Sequence, residues 1–255
     1  ALKHIEGSKL LIILDEFNCL IEQEQSRNVS PVLMKNLRSI FTEYTQIKWL
    51  LISQEIYYQD AKLLDGAGAI LQQAPEIFLK DMNQQNALKI ITGPASFINM
   101  SYEITVPDRI YQLTMGNAYL IQVICYYLVD HVKKENRTQI TQNDLDYIIP
   151  IMMSEGTRYF DHFNRSVKTE MQKRILAVVA IKTKNNRALS VEDLKVVLKL
   201  KNKKVIEQFN VDIEKFIRQG HLAIIIEESN PQLYIPIELF KLWLLSSYQT
   251  EIRFS

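Results

Sequence analysis

A short apolar run that ends in two carboxylates is the feature that most constrains the fold of this chain. Leu10 to Leu14 are five consecutive aliphatic residues, and Asp15 and Glu16 follow them directly. Such a run predicts a strand that is buried on both faces of a parallel sheet. Ligands of open α/β sheets gather at the carboxyl ends of the strands. The sequence therefore marks Asp15 and Glu16 as a candidate ligand site, with an ordinary acidic loop after a strand as the alternative.

A second run of the same kind follows one helix later. Residues 31–46 carry apolar side chains at helical spacing, and residues 47–52 form another apolar run that ends in Ser53 and Gln54. Two buried strands joined by a helix predict a βαβ-like unit.

The pattern becomes helical from Glu76 onwards. Helical periodicity predicts helices at 83–91, 108–115, 118–132 and 142–153, the first ended by Gly93-Pro94 and the last capped by Thr141. Beyond residue 169 the predicted order is three helices, a β-hairpin and a closing helix, at residues 170–181, 191–198, 203–219, 221–235 and 237–248. That order is typical of a winged helix-turn-helix domain.

Charge is distributed unevenly along the 255 residues, although the net charge is only +1. Residues 1–164 carry 14 Lys/Arg against 19 Asp/Glu, and residues 165–255 carry 16 against 10. This difference indicates separate domains with different partners. Cys19 and Cys125 lie in apolar stretches, and we expect both to be reduced core residues. No apolar segment approaches the ~20 residues that a membrane span needs, so we expect a cytoplasmic protein that does not enter a membrane.

These regions, in this order, resemble the AAA+/STAND class of prokaryotic P-loop ATPases that carry a C-terminal winged helix and are related to origin-recognition-like ATPases. Residues 10–18 are similar to the Walker B motif of that class, and residues 49–54 resemble its sensor 1 strand. Residues 77–94 resemble its lid segment. Residues 113–125 (LTMGNAYLIQVIC) and 234–244 (YIPIELFKLWL) resemble two of its characteristic strings, LTGGNPYLIQLLC and Y.I..PLF..WL.

The resemblance implies a fold that is α/β plus mostly α, with three domains. Residues 1–75 would be part of a parallel-sheet P-loop ATPase core, residues 76–164 a helical lid, and residues 165–255 a winged helix-turn-helix. It also implies ATP and Mg²⁺ as ligands and an ATP-dependent homo-oligomer as one outcome.

The resemblance assigns roles to the residues at the two strand ends. Asp15 would hold Mg²⁺ through water, and Glu16 would activate the attacking water. Ser53 or Gln54 would sense the γ-phosphate, the alternative being an ordinary polar strand end.

Gly116 and Asn117 are the candidate lid contacts to the nucleotide. The alternative for this pair is a loop followed by a helix N-cap.

The chain departs from the family pattern in one large respect. It contains no Gly-x-x-x-x-Gly-Lys-Ser/Thr loop to bind phosphates. We therefore expect these residues to be the C-terminal part of a longer protein and to bind nucleotide poorly on their own. Ala118 replaces the family's proline, and Tyr119 stands where replication-type relatives have a sensor 2 arginine. This pattern suits a nucleotide-gated switch better than a fast ring motor.

The third helix of the predicted winged helix is the one that enters the major groove in DNA-binding versions. Its candidates for contact with nucleic-acid phosphates are Lys203, Lys204, Gln208, Lys215 and Arg218. Glu207, Asp212 and Glu214 lie on the same helix, which leaves a protein partner as the alternative. Two hypotheses result: an ATPase switch, or a DNA- or protein-binding adaptor built on a degenerate ATPase core.

Overall fold

The computed structural model describes residues 9–44, 46–53, 66–72, 74–77, 79–155, 160, 167–183, 189–227 and 230–252. Contacts between Cα atoms divide the chain into two compact units, residues 1–79 (unit 1) and 80–255 (unit 2). Each unit is described by itself.

Unit 1 contains the predicted βαβ arrangement. Its elements are β1 (Leu10–Leu14), α1 (Phe17–Gln25), α2 (Pro31–Glu43), β2 (Ile47–Leu51) and the short α3 (Ala67–Leu71). β1 and β2 pair in parallel, with Leu10 opposite Ile47 and Leu14 opposite Leu51. α2 begins where Ser30 Oγ accepts the Val32 N–H at 3.2 Å and a proline occupies the first helical position, a combination that favours helix initiation. The sequence predicted neither α1 nor α3.

The prediction that β1 is buried on both faces is wrong for the described residues. Leu14 and Leu51 pack against a small core of Phe17, Ile21, Met34, Ile70 and Leu71. The opposite face is open, because Leu11, Ile13 and Leu50 are 58%, 54% and 41% exposed. Side chains alternate along a strand, and the described helices pack on one face alone. An apolar run without alternation therefore specifies a strand but not how many of its faces are covered.

Unit 2 begins with helices joined by short connections. They are α4 (Gln84–Phe97), α5 (Val106–Thr114), α6 (Ala118–Lys134) and α7 (Gln142–Ser154), and β3 (Ser101–Tyr102) pairs in parallel with β4 (Gln139–Ile140). The rest of unit 2 comprises α8 (Glu170–Lys182), β5 (Leu189–Ser190), α9 (Val191–Val197), α10 (Lys203–Arg218), β6 (Ala223–Glu227), β7 (Asn230–Tyr234) and α11 (Glu238–Ile252). β5, β7 and β6 form an antiparallel sheet in that order.

One apolar core runs through the whole of unit 2. It joins Leu120 and Leu128 on α6 to Phe209 on α10 and Phe240 on α11. Local signals start and stop the surrounding helices: Ser190 Oγ accepts the Asp193 N–H at 3.0 Å, and Gly220 adopts φ +70° after α10. Among the described helices, none combines the length and apolar character required to cross a membrane.

The predicted end of α4 at Gly93-Pro94 is wrong, because the helix continues to Phe97. A proline inside a helix removes one backbone hydrogen bond. Here Ala95 just beyond it is buried in the unit 2 core, and Ser96 Oγ donates to the Gly93 carbonyl at 2.7 Å. Tertiary packing of the last turn therefore outweighs the local helix-breaking signal.

Candidate nucleotide site

The ends of β1 and β2 lie side by side in unit 1. The Ile52 N–H donates to the Leu14 carbonyl at 2.9 Å, and the Phe17 N–H donates to the Ile52 carbonyl at 2.8 Å. These two bonds continue the parallel ladder past the strands. Asp15 and Glu16, which follow β1, therefore lie at the same sheet edge as the half-buried Ser53, which follows β2. Gln54 lies outside the described residues.

Asp15 and Glu16 form a sharp turn from β1 into α1. Glu16 has φ 52° and ψ 41°, a left-handed conformation that is uncommon for residues other than glycine. Its N–H donates to Asp15 Oδ1 at 2.8 Å. Both side chains are exposed. The turn therefore presents two carboxylates to solvent at the start of a helix, where the positive end of the helix dipole favours negative charge.

Asn18, in the first turn of α1, was not singled out by the sequence analysis. It is only 5% exposed, and no donor among the described residues reaches its buried Oδ1 atom. Its Nδ2 makes a single long contact, 3.9 Å, to Cys19 Sγ. A buried polar group without a partner costs about 1–3 kcal/mol. The sequence could have pointed to Asn18, because it is a polar residue that directly follows the two acids and Phe17.

The donor set at this edge fits Mg²⁺. Magnesium is bound by one or two carboxylates and keeps several of its waters, and Asp15 and Glu16 offer two adjacent, exposed carboxylates. The fit extends to the cation alone, because the phosphate-binding loop is absent from the sequence.

Gly116 and Asn117 lie in unit 2 between α5 and α6, and both have structural partners there. Gly116 adopts φ +83°, and a Cβ at this position would lie 1.9 Å from the Met82 carbonyl oxygen. Asn117 Oδ1 accepts the Leu120 N–H at 3.1 Å and so caps α6. The geometry is that of a loop followed by an N-cap, and a contact with nucleotide stays a prediction for both residues.

Asp81 is a partner of Asn117 that the sequence did not reveal. Asn117 Nδ2 donates to Asp81 Oδ1 at 3.3 Å. Burial raises the pKa of Asp81 above its ordinary value, and the hydrogen bond from Asn117 opposes that shift. The residues just before α4 and those just before α6 are therefore held together by two contacts, this one and the 2.9 Å bond from the Met82 N–H to the Gly116 carbonyl.

The predicted nucleic-acid residues lie on α10. Lys203, Lys204, Gln208 and Arg218 are exposed, and Lys215 is half-buried. Gln208 Nε2 also donates to Asp212 Oδ1 at 3.2 Å. Gln208 therefore contributes to a hydrogen-bonded group within unit 2.

Asp212 is the centre of that group. It is 2% exposed and also accepts a 2.7 Å hydrogen bond from Gln172 Nε2 on α8. The negative charge that the sequence placed on α10 is therefore partly internal, while Glu207 and Glu214 remain on its exposed surface.

Two ionic contacts in unit 2 were missed because their partners are distant or irregularly spaced in the chain. Arg109 on α5 donates two hydrogen bonds, of 2.7 and 2.8 Å, to the carboxylate of Glu238 at the start of α11. Its hydrogen bonding with Glu238 raises the pKa of Arg109. This paired contact ties the first helices of unit 2 to its last helix.

The second contact is a cluster of His131, Glu135 and Asp144, whose ligand atoms lie within 4.8 Å of one another. Arg137 donates to Glu135 and to Asp144. Burial disfavours ionisation of Asp144, but hydrogen bonds from Arg137 and Thr141 outweigh it and lower the pKa of Asp144 to about 2. The guanidinium already occupies the cation position between the carboxylates, so the cluster is an ion-pair network that fixes the start of α7.

Comparison with known proteins supports the fold. No protein-family model matches the chain, and no curated protein matches it by sequence. Among solved structures, the Aeropyrum pernix ORC2 protein (ADPNP-ADP complexes) matches 98% of this chain and 67% of its own, with 13% identity and a TM-score of 0.57.

Two further solved structures match with lower TM-scores. The Thermotoga maritima RuvB Holliday junction branch migration motor matches 97% of this chain and 79% of its own, with 11% identity and a TM-score of 0.44. Cdc6p from Pyrobaculum aerophilum matches 96% of this chain and 67% of its own, with 12% identity and a TM-score of 0.40. Of the three, only the ORC2 likeness has a score that supports a shared fold. The chain therefore shares the fold of the Aeropyrum pernix ORC2 protein.

Proposed function

We propose that this protein is an ATP-dependent switch of the AAA+/STAND type. The observation that carries the proposal is the parallel pairing of β1 and β2, which brings Asp15, Glu16 and Ser53 to one sheet edge. This edge is where open α/β sheets bind their ligands. The ORC2 protein, with the same fold, was solved with ADPNP and ADP.

The exposed acids divide the chemistry between them. Bound Mg²⁺ would neutralise the charge on the phosphates. Asp15, whose Oδ1 also accepts the Glu16 N–H at 2.8 Å, would hold the cation. Glu16 accepts a proton from the attacking water, and the Ser53 hydroxyl or the Gln54 amide senses the terminal phosphate.

The rest of the chain transmits the nucleotide state. We infer a helical lid at residues 76–164 and a winged helix at residues 165–255. The order of α8 to α11 supports the second assignment, with β6 and β7 between α10 and α11 and with β5, from between α8 and α9, pairing with β7. Because one core joins the two parts, a change in the lid moves the winged helix with it.

ATP turnover by the complete native protein tests the proposal. We expect Glu16→Gln to abolish turnover while ATP binding is retained, because the amide cannot accept the proton. Glu43→Gln is the matched control, since Glu43 is an exposed carboxylate of unit 1 at the end of α2, where it accepts a 2.7 Å hydrogen bond from Ser39. Equal turnover by native protein and Glu16→Gln would remove Glu16 from the mechanism.

A second candidate function is nucleic-acid binding through α10. The exposed Lys203, Lys204 and Arg218 favour it, and the interspersed Glu207 and Glu214 weaken it. Phosphate contacts make affinity fall steeply with salt. We expect Lys203→Glu/Lys204→Glu to abolish duplex DNA binding at low salt, whereas Lys80→Glu/Lys89→Glu, with the same change in net charge, retains it. Equal loss in both double variants would indicate a general charge effect and would contradict a specific role for α10.

A further inference from the structure

β6 is an edge strand that lacks the features by which proteins normally protect such an edge. The sheet has the order β5–β7–β6, so one side of β6 pairs with β7, and within the described part of the chain the other side pairs with no strand. Proteins block exposed edges with lysine, proline, a bulge or a very short strand. β6 has five residues, neither lysine nor proline, and an unbroken register with β7. The opposite outer strand, β5, is only two residues long.

Three consecutive isoleucines make both faces of this edge apolar. Ile224, Ile225 and Ile226 are 46%, 45% and 75% exposed. Ile224 lies opposite Leu233 of β7, which is fully buried in the unit 2 core, and residues opposite each other in a sheet share a face. The core therefore ends at β6, where a further strand would continue it. The backbone N–H and C=O groups along such an edge recognise an extended strand.

The residue order of β6 favours a second copy of the same strand as that partner. In an antiparallel pair centred on Ile225, this residue lies opposite Ile225 of the other copy. Ile224 of each copy then lies opposite Ile226 of the other, and Ala223 lies opposite Glu227. All five positions are paired, and each exposed isoleucine meets an isoleucine on the same face of the sheet. The strand is self-complementary in this register.

The charges around β6 also favour an antiparallel pair of copies. Lys215 and Arg218 lie in the last turn of α10, shortly before β6, whereas Glu227 ends the strand and Glu228 follows it in the sequence. Antiparallel pairing brings the basic end of one copy towards the acidic end of the other, whereas parallel pairing brings like charges together. Complementary charge of this kind fixes the partner and its orientation.

We propose that two copies of this protein associate through their β6 strands, which pair antiparallel about Ile225 and join two three-stranded sheets into one sheet of six strands. The inference does not rest on the proposed ATPase function, because β6 belongs to unit 2 and the pairing requires neither nucleotide nor nucleic acid.

Sedimentation of the complete protein, without nucleotide or DNA and in excess EDTA, tests the dimer. We expect the native protein to sediment as a dimer at micromolar concentrations and Ile226→Lys to lose the dimer, because a lysine on an edge strand blocks pairing. Val196→Lys is the matched control, since Val196 on α9 is also 75% exposed and the change in charge is the same. This control should remain a dimer.

Disulfide cross-linking tests the register. Opposite Cβ atoms of an antiparallel pair lie about 4.5–5.5 Å apart, whereas diagonal neighbours lie about 7–8 Å apart, and only the first separation approaches what a disulfide requires. We therefore expect Ile225→Cys to give a covalent dimer when oxidised glutathione accepts the two electrons of the paired thiols. Ile224→Cys, which faces Ile226 of the other copy, should give far less. The native protein, with Cys19 and Cys125, controls for the existing thiols.

Several outcomes would overturn the proposal. A native protein that sediments as a monomer would show that the edge of β6 does not bind a second copy. A dimer that persists in Ile226→Lys would place the interface elsewhere, and equal dissociation of the two lysine variants would indicate a general charge effect. Equal cross-linking of Ile224→Cys and Ile225→Cys would contradict the register. Loss of ATP turnover in any variant has no bearing on these results, so the proposed function is tested separately.

Discussion

The two units of this protein differ in the extent of their hydrophobic cores. In unit 2, one core joins the first and last helices. In unit 1, the core among the described residues is a small cluster on one side of β1, and Leu11 and Ile13 on the opposite face are 58% and 54% exposed. Left-handed non-glycine residues and buried polar atoms without a partner among the described residues occur in both units, Glu16 and Asn18 in unit 1 and Met115 and Gln219 in unit 2. The comparison teaches that the candidate acids lie in the unit with the smaller described core, whereas polar strain does not distinguish the two units.

A substitution in the core of unit 2 should cause the largest loss of folding stability. Phe209 is fully buried, so Phe209→Ala should lower the free energy of unfolding by about 3–5 kcal/mol through lost contacts and a cavity. Ile13 in unit 1 is 54% exposed, so Ile13→Thr should change the free energy of unfolding by less than about 0.5 kcal/mol. Urea unfolding of both variants measures the contrast. Equal losses would mean that the open face of β1 is covered in solution.

Two glycine-to-alanine substitutions in unit 2 should have opposite effects on folding stability. Gly116→Ala meets both a positive φ and the Met82 carbonyl, and we expect it to destabilise by about 1–3 kcal/mol. Gly93→Ala is the matched control within α4, where an added Cβ meets nothing within 4 Å. It should stabilise by about 0.5–1 kcal/mol. Thermal unfolding distinguishes the two, and a tolerated Gly116→Ala would contradict the close approach of the Met82 backbone.

Asp144 should make stability depend on acid pH. Its pKa is lowered from 3.8 to about 2 in the folded chain, so its contribution is present above the unfolded pKa near 4 and is lost as the pH falls towards 2. We expect Asp144→Asn to cost about 1–2 kcal/mol at pH 7, because the partly buried pair with Arg137 is broken. The difference from native protein should shrink between pH 4 and pH 2. A difference that does not vary with pH in this range would contradict the assigned ion pair.

The Arg109–Glu238 pair should have the smallest effect. Both side chains are about one-third exposed, 34% and 38%, so a double-mutant cycle with alanine should give a coupling of roughly 0.5–1 kcal/mol that decreases with salt. The more exposed Lys173–Glu170 pair on α8, at 2.7 Å, provides a reference and should couple more weakly. Equal coupling energies in the two pairs would show that the two hydrogen bonds between Arg109 and Glu238 add no more stability than a single exposed ion pair.

Much of this architecture was predictable because it depends on local signals. The apolar runs predicted β1 and β2, and the caps at Thr141 and Asn117 predicted where α7 and α6 start. The candidate acids at Asp15 and Glu16 were predictable for the same reason, since strand ends and the residues after them are adjacent in the chain.

The sequence by itself determined the long helices, the two strands of unit 1 and the location of the candidate acids, because periodicity, capping and strand length act within a few residues. Only the tertiary structure decided which face of β1 is open, that α4 continues through Pro94, and that Asn18 is buried without a partner for its oxygen. It also decided the contacts of Asn117 with Asp81 and of Arg109 with Glu238. These features depend on residues up to 129 positions apart, and burial and pairing at that range are set by the packing of whole elements.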